Sequence, residues 1–297
     1  MENNIDLHIH TTISDGIMTP IEIIDEAIKN NVTTISITDH DTIDAYTDEL
    51  INYAKTNNIE LIKGIEISAK TNKSGIHILG YNFDTNNLIL KEKLYKIKNS
   101  RHIYLHDVTK KLEELGYKVN VKELDKIDSV SKAHISDDIT NNIENRDLLL
   151  KTFNHIPNKG EFIETIMNEN CPAYVEKISI SPKEAVELIE QAGGIAVLAH
   201  PVAYVHEDNL TDEEILDIIK TSNIKGIEAN YLYVDRNDIK FDECEKWNKF
   251  AKDNNLFVTI GSDFHKKDGV RPEVGFVNWK INLSNEEINT IINNIKK

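Results

Sequence analysis

The sequence predicts an α/β protein in which a mostly parallel sheet closes, or nearly closes, into a TIM-like barrel interrupted by a helical insertion. Three observations carry this. Short β-branched runs alternate with stretches whose apolar residues recur at helical spacing, about seven apolar runs read as strands, and the alternation breaks once, between residues 88 and 172. The first runs are "IDLHI" near residue 5, "TTISIT" at 33–38, "IELIKGIEIS" from 59 and "IHILGY" from 76. Between the first three lie the helical patterns "TPIEIIDEAIKNN", opened by Thr19-Pro20, and "DTIDAYTDELINYAKTNN" after Asp41. The pattern resumes after residue 180 with "SPKEAVELIEQAGG", "IAVLAH", "TDEEILDIIKTSN", "GIEANY", "KFDECEKWNKFAKDNN" and "LFVTIGSDFH". In "TDEEILDIIK" Thr211 reads as a helix cap with acids in the first turn. The predicted organisation is a barrel over 1–87 and 173–297, with a helical insertion or cap over 88–172 that opens on the long helix from "LILKEKLYKIKNS".

Composition narrows the function. The 297 residues are 40% hydrophobic, enough to bury a sizeable core. No apolar run is long enough to cross a bilayer and no signal-peptide pattern opens the chain, so a cytoplasmic location without membrane partners is expected. Fifty acidic residues against 34 basic ones give a net charge of −16, which opposes capture of long duplex nucleic acid but not of a small phosphorylated molecule at a site where cations reverse the field. Cys171 and Cys244 are the only cysteines and lie far apart, so any metal must be held by nitrogen and oxygen ligands.

Those ligands stand at strand ends. In "DLHIHTTISDG", His8 and His10 are two apart on a strand and point to one face, where two imidazoles make a chelate. Asp15 follows on the turn, "TDHD" brings His40 to the end of the second strand, and "GIEIS" brings Glu66 to the third. His77 lies on the fourth strand, His200 ends the fifth in "LAHP", and Asp263 and His265 end the seventh in "GSDFH". Singly, His77 reads as well as a core residue, and Asp41 of "TDHD" as a helix cap. Jointly, a metal cluster explains every polar strand end with one cause, because parallel-barrel strand ends converge on one face.

The ordered set "DLHIHTTISDG", "SITDHDT", "GIEIS", "HILGY", "AGGIAVLAHP" and "GSDFH" resembles the polymerase and histidinol phosphatase (PHP) family of metal-dependent phosphoesterases. "AHISDDI" and "PAYVEK" in the insertion are similar to that family's nucleoside-bisphosphate phosphatase branch. The resemblance implies a distorted (β/α)7 barrel holding three divalent ions, with manganese expected and zinc or iron as alternatives. It implies that His8, His10, Glu66 and Asp263 hold one ion, that Glu66, His77 and His134 hold a second, and that Asp15, His40 and His265 hold the third. Lys132-Ala133-His134 departs from the branch's usual Arg-Pro-His, which leaves a substrate contact or a surface histidine as the alternatives at His134.

The same resemblance implies hydrolysis of a small phosphate monoester, a 3′,5′-nucleoside bisphosphate or other nucleotide. Asp15 and Glu66 would be essential, Arg101 would grip the phosphoryl oxygens, and His200 would contact the phosphate or protonate the leaving alkoxide. Trimming of short single-stranded RNA from one end is the alternative substrate reading, and histidinol phosphate ranks below it. A non-catalytic metal-binding regulatory module and an amidohydrolase are the rivals from other classes, the latter expected to carry a lysine bridge where this chain has Glu66. His102, His106, His155 and His206 match no family motif and read as surface residues, and Arg236 and Arg271 as solvated loop arginines.

Overall fold

A computed structural model of the chain describes residues 4–127, 130–176, 179–235 and 237–297. In chain order the elements are β1 (Ile5–Ile9), α1 (Pro20–Lys29), β2 (Thr34–Ile37), α2 (Asp48–Thr56), β3 (Glu60–Lys70), β4 (Gly75–Tyr81), α3 (Leu88–Glu114), α4 (Val121–Leu124), α5 (Lys132–Asn141), α6 (Arg146–Phe153) and α7 (Lys159–Phe162). They continue with α8 (Pro182–Gln191), β5 (Ile195–Leu198), α9 (Pro201–Asp208), α10 (Asp212–Ser222), β6 (Gly226–Asn230), β7 (Leu232–Val234), β8 (Lys240–Asp242), α11 (Cys244–Asp253), β9 (Phe257–Ile260), α12 (Phe276–Ile281) and α13 (Asn285–Ile295). The chain divides into two compact units, Met1–Lys93 with Ser179–Lys297, and Leu94–Ile178.

In the first unit seven strands form one sheet in the order β1-β2-β3-β4-β5-β6-β9. The edges β1 and β9 meet through a parallel bridge between Ile9 and Phe264, with the His10 N–H donating to the Phe264 carbonyl at 2.8 Å, so the expected barrel is closed by a narrow seam. All pairings are parallel except those of β4, which runs antiparallel to β3 and to β5. The cause is local: β3 and β4 are joined by a tight turn in which the Thr71 side chain accepts from Lys73 and Ser74 backbone N–H groups. A turn of that length cannot cross over to a parallel strand. Reversal puts the start of β4 beside the end of β3, with His77 opposite Ser68, so the one antiparallel strand delivers its ligand to the same rim as the parallel ones.

Ile9 faces the helical layer, packed with Ile23, Ile24 and Ala27 of α1 beside its pairing partner Ile37. The register shifts between Asp6 and Ile9, which breaks strict alternation along β1. Asp6, His8 and His10 are all buried, Asp6 turned to the Gly275 N–H and both histidines to Glu66 and Asp263. Each apolar side chain buried this way contributes roughly 1.5–3 kcal/mol, which offsets the cost of the polar interior. Capping boxes at Thr19/Glu22, Ser181/Glu184 and Thr211/Glu214 start α1, α8 and α10 where the sequence places them. The second helix differs from expectation: α2 begins only at Asp48, capped by Thr47. Residues 41–47 turn instead, because the Tyr46 hydroxyl donates to the Ile37 carbonyl at 2.5 Å and accepts from the Gly64 N–H at 2.6 Å, and Asp41 accepts from the Ser68 N–H at 2.8 Å.

The second unit is helical, as its break in the β-branched pattern predicts. Leu105, Val108 and Leu112 of α3, Leu124 of α4, Ile135 and Ile139 of α5 and Phe162 of α7 form its core, with Tyr117 edge-on to Phe162 at 5.2 Å. Among the described residues no helix is long and apolar enough to cross a membrane.

Candidate metal centre

The segment after β1 is shaped to hold ligands. Asp39 accepts from the Thr11 N–H, the Thr11 hydroxyl and the Ser14 hydroxyl, each at 2.7 Å, and so pins the loop that carries Asp15. Gly16 is required there, since a Cβ would lie 2.5 Å from the His10 carbonyl oxygen. Gly261, after β9, is required for the same reason: a Cβ would meet the His8 Cβ at 2.2 Å. His200, Asp263 and Asp41 all hold positive φ, of 25°, 53° and 54°. Non-glycine residues in that region cost of order 1–3 kcal/mol each and gather at functional sites.

His8, His10, Glu66 and Asp263 form the first group of ligand atoms. His8 Nε2 lies 3.2 Å from His10 Nε2, 3.4 Å from Glu66 Oε2 and 3.3 Å from Asp263 Oδ1, and His10 Nε2 lies 3.1 Å from each of those oxygens. Four ligands on one tetrahedral ion with bonds of about 2.0–2.1 Å stand about 3.3 Å apart. The donor set and its spacing therefore fit a divalent cation. His8 is locked for the task, its Nδ1–H donating to Glu228 at 3.0 Å, which fixes the tautomer and aims Nε2 inward.

Two further groups share residues with the first. Asp15, His40 and His265 gather with His10. His265 Nε2 is 3.4 Å from Asp15 Oδ1, and His265 Nδ1–H donates to the Asp263 carbonyl at 2.9 Å, again leaving one nitrogen free for a cation. Glu66 gathers with His40 and His77: His40 Nδ1 is 3.2 Å from Oε2 and His77 Nδ1 is 2.9 Å from Oε1. Both of these nitrogens are buried without a hydrogen-bond partner, as is His200 Nδ1. Orphaned buried nitrogens beside a carboxylate are costly unless something electropositive satisfies them. Glu66 offers Oε2 to His8, His10 and His40 and Oε1 to His77 and His200.

Electrostatics agree. Burial opposes protonation of His8 and His10, but the carboxylates around them outweigh it: Glu228, Glu66 and Asp263 raise His8 well above the usual imidazole range, and Asp263 and Glu66 push His10 up to about 10. Burial, helped by His10 and His77, pushes His40 down to about 3. Burial would raise Glu66 and Asp263, yet the surrounding histidines hold both well below the carboxylate range. The direction of these shifts means that a cation would compete with protons for His8 and His10.

Every strand-end residue named from the sequence in the barrel is thus gathered here, His200 included, its Nε2 3.1 Å from Glu66 Oε1. Arg101 lies on α3 and His134 at the start of α5, both in the helical unit. His134 is exposed, and its Nδ1 accepts from the Ser131 N–H at 3.2 Å in a capping box. Arg271 pairs with Asp268, and Arg236 lies outside the described residues. Sequence reasoning missed three residues. Glu228 of "GIEANY" holds His8 and also accepts the His200 N–H at 2.9 Å. The Tyr231 hydroxyl donates to Asp263 Oδ2 at 3.2 Å. Asp6 accepts from the Ser262 and Gly275 N–H groups at 2.9 and 2.8 Å, tying β1 to the segment after β9. An acid inside an otherwise apolar strand was the available signal for Glu228. The centre opens into a cleft of about 470 Å³ lined by His40, Glu66, His77, His200, Tyr204, Tyr231, Asp263 and His265, among others.

A barrel that gathers histidines and carboxylates at its strand ends in this way has the architecture of a metal-dependent phosphoesterase. A family model for the PHP domain matches residues 6–164. The chain is 31% identical over 265 residues to a 5′-3′ exoribonuclease of Haemophilus influenzae, across 89% of this chain and 91% of that protein. It is 28% identical over 266 residues to a 3′,5′-nucleoside bisphosphate phosphatase of Chromobacterium violaceum, across 88% and 87% of the two. A solved Bifidobacterium adolescentis protein, described as a candidate metal-dependent phosphoesterase, shares the fold with a TM-score of 0.66 at 21% identity, across 98% of this chain and 96% of that one. This chain belongs to the PHP domain family.

Proposed function

We propose that this protein hydrolyses a small phosphate monoester, a nucleotide with phosphates at its 3′ and 5′ positions, with three divalent ions as cofactors and manganese as the expected ion. The observation that carries the reading is the cage of His8, His10, Glu66 and Asp263, whose His–His and His–carboxylate edges of 3.1–3.4 Å match the ligand spacings on one cation. His8, His10, Glu66 and Asp263 hold one ion. Glu66 and His77 serve a second, with His40 gathered beside them and His134 the ligand that the family pattern assigns. Asp15, His40 and His265 serve the third. Divalent ions held there supply Lewis acidity toward the phosphoryl oxygens and make water acidic enough to attack near neutral pH.

The protein's own residues do the rest. Glu228 and the Asp263 carbonyl hold His8 and His265 in single tautomers, so the ligand field is set before substrate arrives. His200, fixed through its backbone by Glu228 and bordering the cleft, protonates the leaving alkoxide. Arg101, by the family pattern, presents its planar fork to the phosphoryl group. The net charge of −16 favours a small substrate over a long polynucleotide.

A second reading, removal of nucleotides from the 5′ end of short RNA, is supported by the 31% identity to the Haemophilus influenzae exoribonuclease. Metal-analysed protein assayed on adenosine 3′,5′-bisphosphate, nucleoside monophosphates, short 5′-phosphorylated RNA and histidinol phosphate tests both. Highest kcat/KM on the bisphosphate is the expected result. Preference for RNA would replace the first reading with the second, and bound metal without turnover of any ester would overturn both.

A further inference from the structure

We infer that Tyr231 is a positioning residue for the metal centre: its hydroxyl holds Asp263 Oδ2, so that Asp263 meets an ion through Oδ1 alone. The two oxygens of Asp263 have separate partners. Oδ1 faces the ligand nitrogens, 3.3 Å from His8 Nε2, 3.1 Å from His10 Nε2 and 3.5 Å from His265 Nδ1. Oδ2 accepts the Tyr231 hydroxyl at 3.2 Å. A carboxylate without such a partner can bind a cation through one oxygen or through both, and the second mode suits large ions with many oxygen ligands. A phenol proton on Oδ2 leaves a single oxygen for the ion, which is what a compact cage of four ligands needs. The inference rests on the reading of His8, His10, Glu66 and Asp263 as ligands of one ion.

The backbone brings the two residues together. β6 and β9 pair in parallel through Asn230 and Ile260, and the Gly261 N–H donates to the Asn230 carbonyl at 3.3 Å, so the segments leaving the two strands stay side by side. Tyr231 directly follows β6, and Asp263 lies just beyond the end of β9. Behind Tyr231, its carbonyl accepts the Cys244 thiol at 3.5 Å and Asn230 Oδ1 accepts from Asn248 Nδ2 at 2.7 Å, which ties this turn to α11. In front, the tyrosine ring stands 5.6 Å from the His200 ring and borders the cleft. Asp263 is held at a φ of 53°, a conformation that persists only where the surroundings fix it. Glu228 and Tyr231 of the one stretch "GIEANY" thus each orient a ligand, Glu228 through His8 Nδ1 and Tyr231 through Asp263 Oδ2.

The test is titration of zinc into the full chain after chelation, followed by visible absorption of the cobalt-loaded protein. Tyr231→Phe keeps the ring and removes the hydroxyl, and it is expected to bind one ion about 10–100-fold more weakly, the usual cost of losing a partner behind a ligand. Its cobalt form is expected to absorb more weakly, because Asp263 is then free to chelate and a higher coordination number weakens the cobalt bands. Tyr231→Leu removes the ring as well and is expected to bind that ion no more weakly than Tyr231→Phe does. An unchanged zinc affinity or an unchanged cobalt spectrum in Tyr231→Phe would overturn the inference, and a loss confined to Tyr231→Leu would assign the effect to ring packing instead. Failure of the unsubstituted chain to bind any ion would overturn the metal reading together with the inference, and none of these results depends on which ester the protein cleaves.

Discussion

The barrel centre and the helical unit use the same residue types in opposite ways. His8 and His10 are fully buried, each facing at least two carboxylates, whereas His102, His106 and His155 sit at the surface against one carboxylate apiece. A buried ionisable group survives only when its neighbours compensate it, so the barrel groups depend on one another and losing one strands the rest. A surface pair is screened and replaceable. The contrast predicts a steep gradient of mutational effects from the barrel interior outward, and it can be broken at each step.

The largest effect belongs to Glu66, which touches His8, His10, His40, His77 and His200 within 3.4 Å. Glu66→Gln is expected to lower kcat/KM on the best phosphate ester by about 1000-fold or more, at or beyond what removal of one preorganised stabilising group costs. Circular dichroism of the metal-loaded variant should show the fold retained. Near-normal activity would show that the ligand groups act independently. Asp15→Ala tests the same point from the other end of the centre and is expected to be as damaging.

Next comes metal binding against pH. In the metal-free protein the pKa of His10 is raised from 6.5 to about 10, so the stability it contributes is fully present below 6.5 and is lost as pH rises toward 10. The metal-free protein should therefore melt at lower temperature at pH 9.5 than at pH 6.5. Metal affinity should move the other way, tightening with pH as the competing protons leave, and calorimetry in two buffers of different ionisation enthalpy should detect proton release. An affinity unchanged between pH 6.5 and 8.5 would mean that His8 and His10 do not hold those protons.

Glu228→Gln probes the layer behind the ligands. It keeps the shape but weakens the bond that orients His8, and loss of such a partner costs about 10–100-fold in metal affinity or activity. Its position shows why the sequence was legible only in part. His8, His10, His40, Glu66, Asp263 and His265 announce themselves because each breaks an apolar pattern at or near a strand end, and convergence of strand ends is a property of the barrel as a class. Glu228, Asp6 and Asp39 act through another residue's nitrogen or a loop's N–H groups, and such partners are remote in sequence: 28 residues for Asp39 and Thr11, 220 for Glu228 and His8, and more than 250 for Asp6 with Ser262 and Gly275. The late start of α2 has the same cause: Tyr46 fits the helical spacing, but its hydroxyl is claimed by backbone groups of β2 and β3.

Asp6→Asn is the smaller, structural counterpart. One of its oxygens would become an amide nitrogen facing a backbone N–H, from Ser262 or from Gly275, at a site where burial already pushes the Asp6 carboxyl up to about 6. The expected loss is about 1–3 kcal/mol of unfolding free energy, read by urea denaturation of the metal-free protein, with ligand spacing and metal stoichiometry unchanged.

His155→Ala should have the smallest effect, and it tests the other side of the comparison. His155 Nε2 meets Glu161 at 2.9 Å on the surface of the helical unit, where salt screens the pair and water can replace it. The Tm and the activity should both match those of the unsubstituted protein within error. A drop of several degrees would mean that surface pairs in the helical unit are coupled as tightly as the barrel ligands, and the gradient from interior to surface would fail where it is expected to be flattest.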